Sequence, residues 1–473
     1  MKILIYNWAD YLNNPSRGGG VTVYLRRLIS ELKKNHHVIF VSSGESYNPF
    51  RVEPYWAKRN GDDNVDIYEI VNSEIMAPAS LEFGSSSVLH AENTLAVWLD
   101  LLTKLKPDVV HFHNIEGLPF EALRVKDILP KCAVFYSIHN YYGFCANVKL
   151  WKNNERNCDD LVGKQSCLQC CKKKPDIAIE YKVKVIKWAF RLFRMEVPKW
   201  IYKYTLGSDF ISFLPGRLTL SKLLLVRNNE QRGNLYGDIK IKFVEQLNNC
   251  CDLIMPVSNR VALIAEKHGV WNKNMSTCYI GTDLAIHEPA KYTSDKLSIV
   301  YMGYMSKEKG FDFFLDALNR LSPQELKNIN LTIAARNTCE QSYKKMMSLA
   351  GNVNHFKYFD GYSKSTQHKI LNGSDLSIIP VLWEDNLPQV AIESVMYGVP
   401  ILVSNLGGAQ ELVGGDLMFT FKHGDESDFM HKLCFFIYNK HSLSHFWKVN
   451  KYIPRMDEHI HELLVKYRVA GVC

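Results

Sequence analysis

The chain has 473 residues, 47% of them hydrophobic and 22% charged, with a net charge of +8. That length predicts two to three domains with ordinary globular cores and excludes a largely disordered chain. The basic excess is modest and gathered in one segment, which argues against nucleic acid as a partner, and no window reaches the roughly 18 to 20 apolar residues a transmembrane helix needs.

Met1 to Tyr6 reads as a buried strand and not as a signal peptide, because its apolar run is short and Asn7 and Asp10 follow at once. The expected setting is therefore cytoplasmic. Gly18, Gly19 and Gly20 form a permissive turn that lets backbone N–H groups approach a diphosphate, although a plain turn fits the same residues. A helix is predicted from about Thr22 to Lys34 with Val23, Leu25, Leu28, Ile29 and Leu32 on one face, then a strand at His37 to Val41. Two further strands end in histidine, one at His111 and His113 and one at His139. A lone histidine at a strand end is more readily a packed residue than a functional one.

From about Phe144 to Cys250 the first domain carries an insertion. Cys145, Cys158, Cys167 and Cys170 lie in one short segment with Cys171 adjacent, and the terminal Cys-x-x-Cys can chelate a tetrahedral zinc ion. Four thiolates would leave no open coordination position, so such a site is structural. Without a secretory signal, twelve cysteines favour thiols or a metal site over a disulfide framework. A structural zinc knuckle is the favoured reading, with free thiols and disulfides as alternatives. Next comes Lys172 to Tyr204, where Trp188, Phe190, Phe193 and Trp200 are interleaved with Lys184, Lys187, Arg191 and Arg194. Such a basic aromatic stretch suits an anionic membrane surface, and a packed helical pair with a solvated basic face is the alternative.

Strands at 252–258 and 278–283 close the first domain, and a polar stretch from about Ala285 to Lys296 reads as a linker. The same grammar restarts at Leu297 to Gly303, with Lys309-Gly310 and a helix through Leu321, then strands near 331–335, 355–358, 376–380 and 400–404. Alternating strands and helices predict doubly wound α/β domains with ligands at the carboxyl ends of the strands. The expected division is 1–284, 285–455 and a last helix in 456–473 that crosses back to the first domain.

The most informative stretch is Trp383 to Glu393, which sets Asp385 in a loop and Glu393 in the helix that the loop opens. Asn386 and Gln389 have capping-box spacing, and Pro388 suits a first helical turn, so the helix is predicted to start at about Leu387. Its free N–H groups and positive dipole end favour a phosphate, and Glu393 is placed to accept from ribose hydroxyls.

These residues resemble the retaining glycosyltransferases of the GT4 family (glycosyl transferases group 1), which have the two-domain GT-B fold. The family carries Glu-x7-Glu here, and Glu393 matches its second glutamate while Asp385 stands at the first. Gly303-Tyr304-Met305-Ser306-Lys307-Glu308-Lys309-Gly310 is similar to the family's Gly-Arg-Leu-x-x-Glu-Lys-Gly. The resemblance implies that Lys309 binds the donor diphosphate, with Tyr304 in place of the arginine and Lys307 as a compensating cation. His139-Asn140 resembles the family's His-Asp, which faces the reacting sugar, and some relatives carry a similar cysteine cluster just after it.

The resemblance implies a metal-independent transferase that takes a nucleotide-sugar donor in the second domain and passes the sugar, with retention, to an acceptor on the first. The acceptor expected from the basic segment is a lipid-linked saccharide at the inner face of a bacterial membrane, in surface polysaccharide assembly of the O-antigen or capsule type. Tyr304 and Asp385 motivate the alternative of a catalytically silent relative that binds nucleotide sugar or a partner enzyme. A GT-B sugar-phosphate synthase or phosphorylase is the other.

Overall fold

The computed structural model describes residues 1–12, 15–78, 86–153, 155–171, 185–186, 188–189, 229–283, 287–289, 294–448 and 454–469. The basic segment from Lys172 to Tyr204 thus lies outside the described residues apart from Val185, Ile186, Trp188 and Ala189.

Two α/β sheets organise the molecule. The first contains β1 (Lys2–Tyr6), β2 (His37–Ser43), β3 (Tyr55–Asp62), β4 (Val65–Val71), β5 (Val109–Phe112), β6 (Ala133–Ile138) and, after the two-stranded ribbon of β7 (Trp151–Lys152) and β8 (Arg156–Asn157), β9 (Leu253–Pro256). Its order is β3-β4-β2-β1-β5-β6-β9, parallel throughout except for the antiparallel edge pair β3–β4. β1 lies at the centre because Ile3, Leu4, Ile5 and Tyr6 are apolar on both faces, which suits a strand covered by helices above and below.

The second sheet contains β10 (Leu297–Tyr304), β11 (Ile329–Arg336), β12 (His355–Phe359), β13 (Leu376–Ile379), β14 (Ile401–Ser404) and β15 (Thr420–Phe421). All its pairings are parallel, in the order β12-β11-β10-β13-β14-β15. In both sheets the order reverses beside the first strand of the domain, the place where open α/β sheets hold their ligands. The helix Met456–Val469 lies on the first domain: Tyr467 Oη is 2.7 Å from His111 Nδ1, His459 Nε2 is 2.8 Å from Tyr24 Oη, and Lys466 Nζ is 2.7 Å from Ser276 Oγ.

Two local expectations are corrected, and one element is added. The first helix runs from Pro15 to Leu32, and the glycines lie within it as a kink at Gly19 (φ 60°, ψ −147°) instead of a turn before it. Residues 278–283 form an isolated bridge at Thr282 and no strand. The β3–β4 hairpin was not anticipated, since Ala57-Lys58-Arg59-Asn60-Gly61-Asp62 is polar enough to read as loop.

Candidate active site

The site begins with the segment that leaves β13. It packs inward as far as Leu387, with Asp385, Asn386 and Leu387 all buried. The following helix is Gln389–Met396, with Pro388 at its N-cap and no side-chain cap. The capping box predicted for Asn386 and Gln389 is absent because the helix begins after Pro388, two residues beyond Asn386, and both amide N–H groups reach the other domain. Asn386 Nδ2 donates to the backbone carbonyl of His139, and Gln389 Nε2 donates to the Gly20 carbonyl at 2.8 Å. The glycine kink therefore faces the N-terminus of the helix that carries Glu393.

Lys309 arrives from the turn after β10. Gly310 has φ 71°, and a Cβ there would sit 1.7 Å from the Pro380 carbonyl, so the turn can press against the end of β13 only with glycine. This approach brings Lys309 Nζ to 2.5 Å from Asp385 Oδ2 and 5.0 Å from the centre of the Trp383 ring. Asp385 is thus a partner of Lys309 in this state. Glu308 pairs across the cleft with Lys149 at 2.5 Å. Lys307 and Tyr304 are both exposed on the same turn.

His139 ends β6. Its Nε2 is 2.9 Å from His113 Nδ1, and the Tyr24 ring centre lies 5.3 Å away. Burial, with His459 adding to it, lowers the His139 imidazole to about 3, so it is neutral at physiological pH and acts as a hydrogen-bonding group. His111 bonds Ser137 Oγ at 2.8 Å through Nε2 and stacks on His113 with centroids 3.9 Å apart. His111 and His113 thus belong to a packed network behind His139.

Further residues complete the contact between domains, and the sequence reading did not find them. Arg260 makes a two-point pair with Glu384, Nε to Oε2 at 2.8 Å. Glu411 accepts from the backbone N–H groups of Asn259 (3.1 Å) and Arg260 (2.8 Å) at the start of the helix Asn259–Lys267, and from Tyr279 Oη. Ser258 caps that helix and also donates to the Asn386 carbonyl at 2.7 Å. The signal available was the Gly-rich turn before Glu411. Its meaning depends on a helix about 150 positions away in the chain.

Among the described residues, several buried polar atoms on these segments have no hydrogen-bond partner, namely Trp383 Nε1, Asn386 Oδ1, His113 Nε2 and Thr22 Oγ1. Buried polar groups are ordinarily satisfied, so a bound ligand or water belongs near them. Cys145, Cys158, Cys167 and Cys170 line one small cavity, and all are free thiols. No group of three or more His, Cys, Asp or Glu side chains among the described residues is already spaced to hold a metal ion.

Two facing doubly wound domains with a lysine and a helix N-terminus at their cleft define a GT-B architecture. Residues 285–450 match the family described as Glycosyl transferases group 1, in agreement with the motifs of the second domain. A protein described as an uncharacterized 42.6 kDa protein in the cps region of Klebsiella pneumoniae is 22% identical over 87% of each chain. Among solved structures, Anabaena HepE in complex with UDP and glucose superposes with a TM-score of 0.54 at 13% identity, over 99% of each chain. Sucrose-phosphate synthase from Thermosynechococcus elongatus gives 0.56 at 11% identity, over 99% of this chain and 98% of that one. At such identities the structural likeness establishes the fold.

Proposed function

We propose that this chain is a retaining glycosyltransferase that transfers a sugar from a nucleoside-diphosphate donor to a saccharide acceptor. The observation that carries this reading is the meeting of Lys309, the N-terminus of the Glu393 helix and the Gly18–Gly20 kink where the two sheets face each other. Lys309 and the helix N-terminus would take the diphosphate, Glu393 the donor's hydroxyls, and neutral His139 would hydrogen-bond the reacting sugar. Departure of the nucleoside diphosphate is then assisted by the lysine and the helix dipole, without a catalytic metal. Leu387 and Pro388 shape the entry to that helix, and Lys307 and Tyr304 flank the diphosphate position from the exposed side.

UDP in the HepE complex makes a uridine donor the first to test. Donor hydrolysis should be screened across UDP-, GDP- and ADP-sugars. With the active donor, Glu393→Gln should weaken donor binding about tenfold or more, because one charge-assisted hydrogen bond is worth roughly 1.5 to 3 kcal/mol. Calorimetry reads the affinity, and unchanged binding with the fold intact would remove Glu393 from the site.

The acceptor we propose is lipid-linked, in surface polysaccharide assembly, with the protein attached to the inner membrane face. The cps-region relative and the basic segment support this. Among the described residues no helix is long and apolar enough to cross a membrane, whereas Phe50 and Val52 are strongly exposed and the Phe50 ring lies 5.1 Å from that of Trp188. Each well-placed basic residue near an anionic surface contributes about 1 kcal/mol, so attachment should weaken with salt. Replacing Lys184, Lys187, Arg191 and Arg194 by Gln should release the protein from anionic liposomes and leave donor hydrolysis unchanged. Equal sedimentation of wild type and variant would discard the membrane role.

A further inference from the structure

The insertion after β6 holds five cysteines, Cys145, Cys158, Cys167, Cys170 and Cys171, around one cavity of about 10 Å³. Spacing alone makes this a collection of thiols; the groups that point at the sulfurs distinguish among them. Cys170 Sγ receives Asn147 Nδ2–H at 2.8 Å and the Asn153 backbone N–H at 3.3 Å. Two N–H donors converging on one sulfur would support a metal-bound sulfur there, while the Trp151 carbonyl 3.9 Å away is placed to accept its Sγ–H. The backbone adopts unusual conformations to make this arrangement: Val148, Leu150 and Asn153 have φ of 65°, 51° and 55°, although none is glycine.

Charge points the same way. Lys240 is buried at 5% exposure, and the hydrogen bond of its Nζ is to a neutral carbonyl, that of Asp160, at 3.2 Å. It is pressed against the cluster: a Cβ on Gly163 would fall 2.3 Å from Lys240 Nζ and 2.8 Å from Cys167 Sγ. The Asp160 carboxylate lies close enough to Lys240 to share its charge, and a four-thiolate metal centre with net charge −2 would add a second counter-charge on the cluster side.

We propose that Cys145, Cys158, Cys167 and Cys170 hold a structural soft divalent cation, zinc by its preference for four thiolates, with Lys240 as the buried counter-charge. Binding converts four thiols to thiolates, releases four protons, and draws the sulfurs together across the cavity to tetrahedral spacing. Asn147 selects between the neighbouring cysteines. Its amide N–H donates to Cys170, whose Sγ also lies 3.9 Å from the Trp151 carbonyl, whereas its carbonyl oxygen accepts from Cys171 Sγ–H at 3.6 Å, so only Cys170 of the pair receives N–H donors from this loop. The site fastens the β7–β8 ribbon and the helix Lys164–Cys170 to the first domain. Asn157, in β8, donates to the Leu382 carbonyl at 3.0 Å and accepts from the Glu384 N–H at 3.1 Å, so the ribbon reaches the cleft wall. The proposal is independent of which donor the cleft takes.

The test uses the full chain purified without chelators, with metal measured by plasma mass spectrometry. About one zinc per chain is expected, and exchange for cobalt should give the thiolate charge-transfer and visible bands of a tetrahedral four-sulfur site. Cys171→Ser should keep the metal and the cobalt spectrum, and Cys170→Ser should lose at least tenfold in metal affinity by competition with a chromogenic chelator. If Cys170→Ser fails to fold, alkylation of the native wild type reads the same point: the half-exposed Cys158 and Cys170 should be protected with metal bound and react once it is chelated. Metal-free protein from zinc-supplemented cells, a disulfide among these cysteines, or equal metal loss in Cys171→Ser would overturn the assignment.

Discussion

Lys309→Ala is expected to lower affinity for a nucleoside diphosphate by about 10- to 100-fold, the loss of a charged hydrogen bond worth roughly 1.5 to 3 kcal/mol. The substitution also leaves Asp385 buried without its 2.5 Å partner, so part of any loss of activity would come from a destabilised loop. A double variant separates the two effects. Lys309→Ala with Asp385→Asn removes the stranded carboxylate and should recover the thermal midpoint while diphosphate binding stays weak. Lys307→Ala, on the exposed side of the same turn, should change binding less than threefold. Calorimetric titration with UDP, GDP and ADP gives both readings, and wild-type affinity in the double variant would take Lys309 out of the donor site.

Acid is expected to unfold the first domain through its histidines. Burial holds His139 at about 3 and His459 and His268 at about 4, and it lowers His111 and His113 well below 6.5. All are depressed, so the stability they secure is fully present above pH 7. It falls as pH drops through the unfolded-state value of about 6.5, because the unfolded chain then takes up protons that the folded form refuses. By pH 5 each such imidazole costs on the order of 2 kcal/mol, and together they rival the 5 to 15 kcal/mol stability typical of a domain. Urea midpoints measured from pH 7.5 to 5.0 should fall steadily, and His459→Gln should reduce the slope. A flat profile over that range would mean that these rings take up protons in the folded state.

What could be read in the sequence was what is local. Ile3, Leu4 and Ile5 announce a central strand by being apolar on both faces, and Lys309-Gly310 is legible as a motif, although the reason for its glycine, the fit against Pro380, appears only in the fold. Asn386 and Gln389 show why a local rule fails. Their spacing satisfies a cap, yet the chain spends both amides on His139 and Gly20, 247 and 369 positions away, and the helix starts two residues late. The Arg260–Glu384 pair and the role of Glu411 likewise depend on two domains meeting, which periodicity does not encode. The cysteine segment lies between these cases. Spacing gathers the thiols, but only the folded loop shows which sulfurs the N–H groups address.

The link between the domains has a mechanical consequence. The chain passes between them twice, and the two crossings are bonded to each other: the Thr282 N–H donates to the Pro454 carbonyl at 3.1 Å, and the Met456 N–H to the Thr282 carbonyl at 2.8 Å. Two separate tethers would permit sliding and twisting, whereas two segments bonded side by side restrain both. Any opening of the cleft would then turn about this joint, which holds the domains in the register where Gln389 meets Gly20 and Asn386 meets His139.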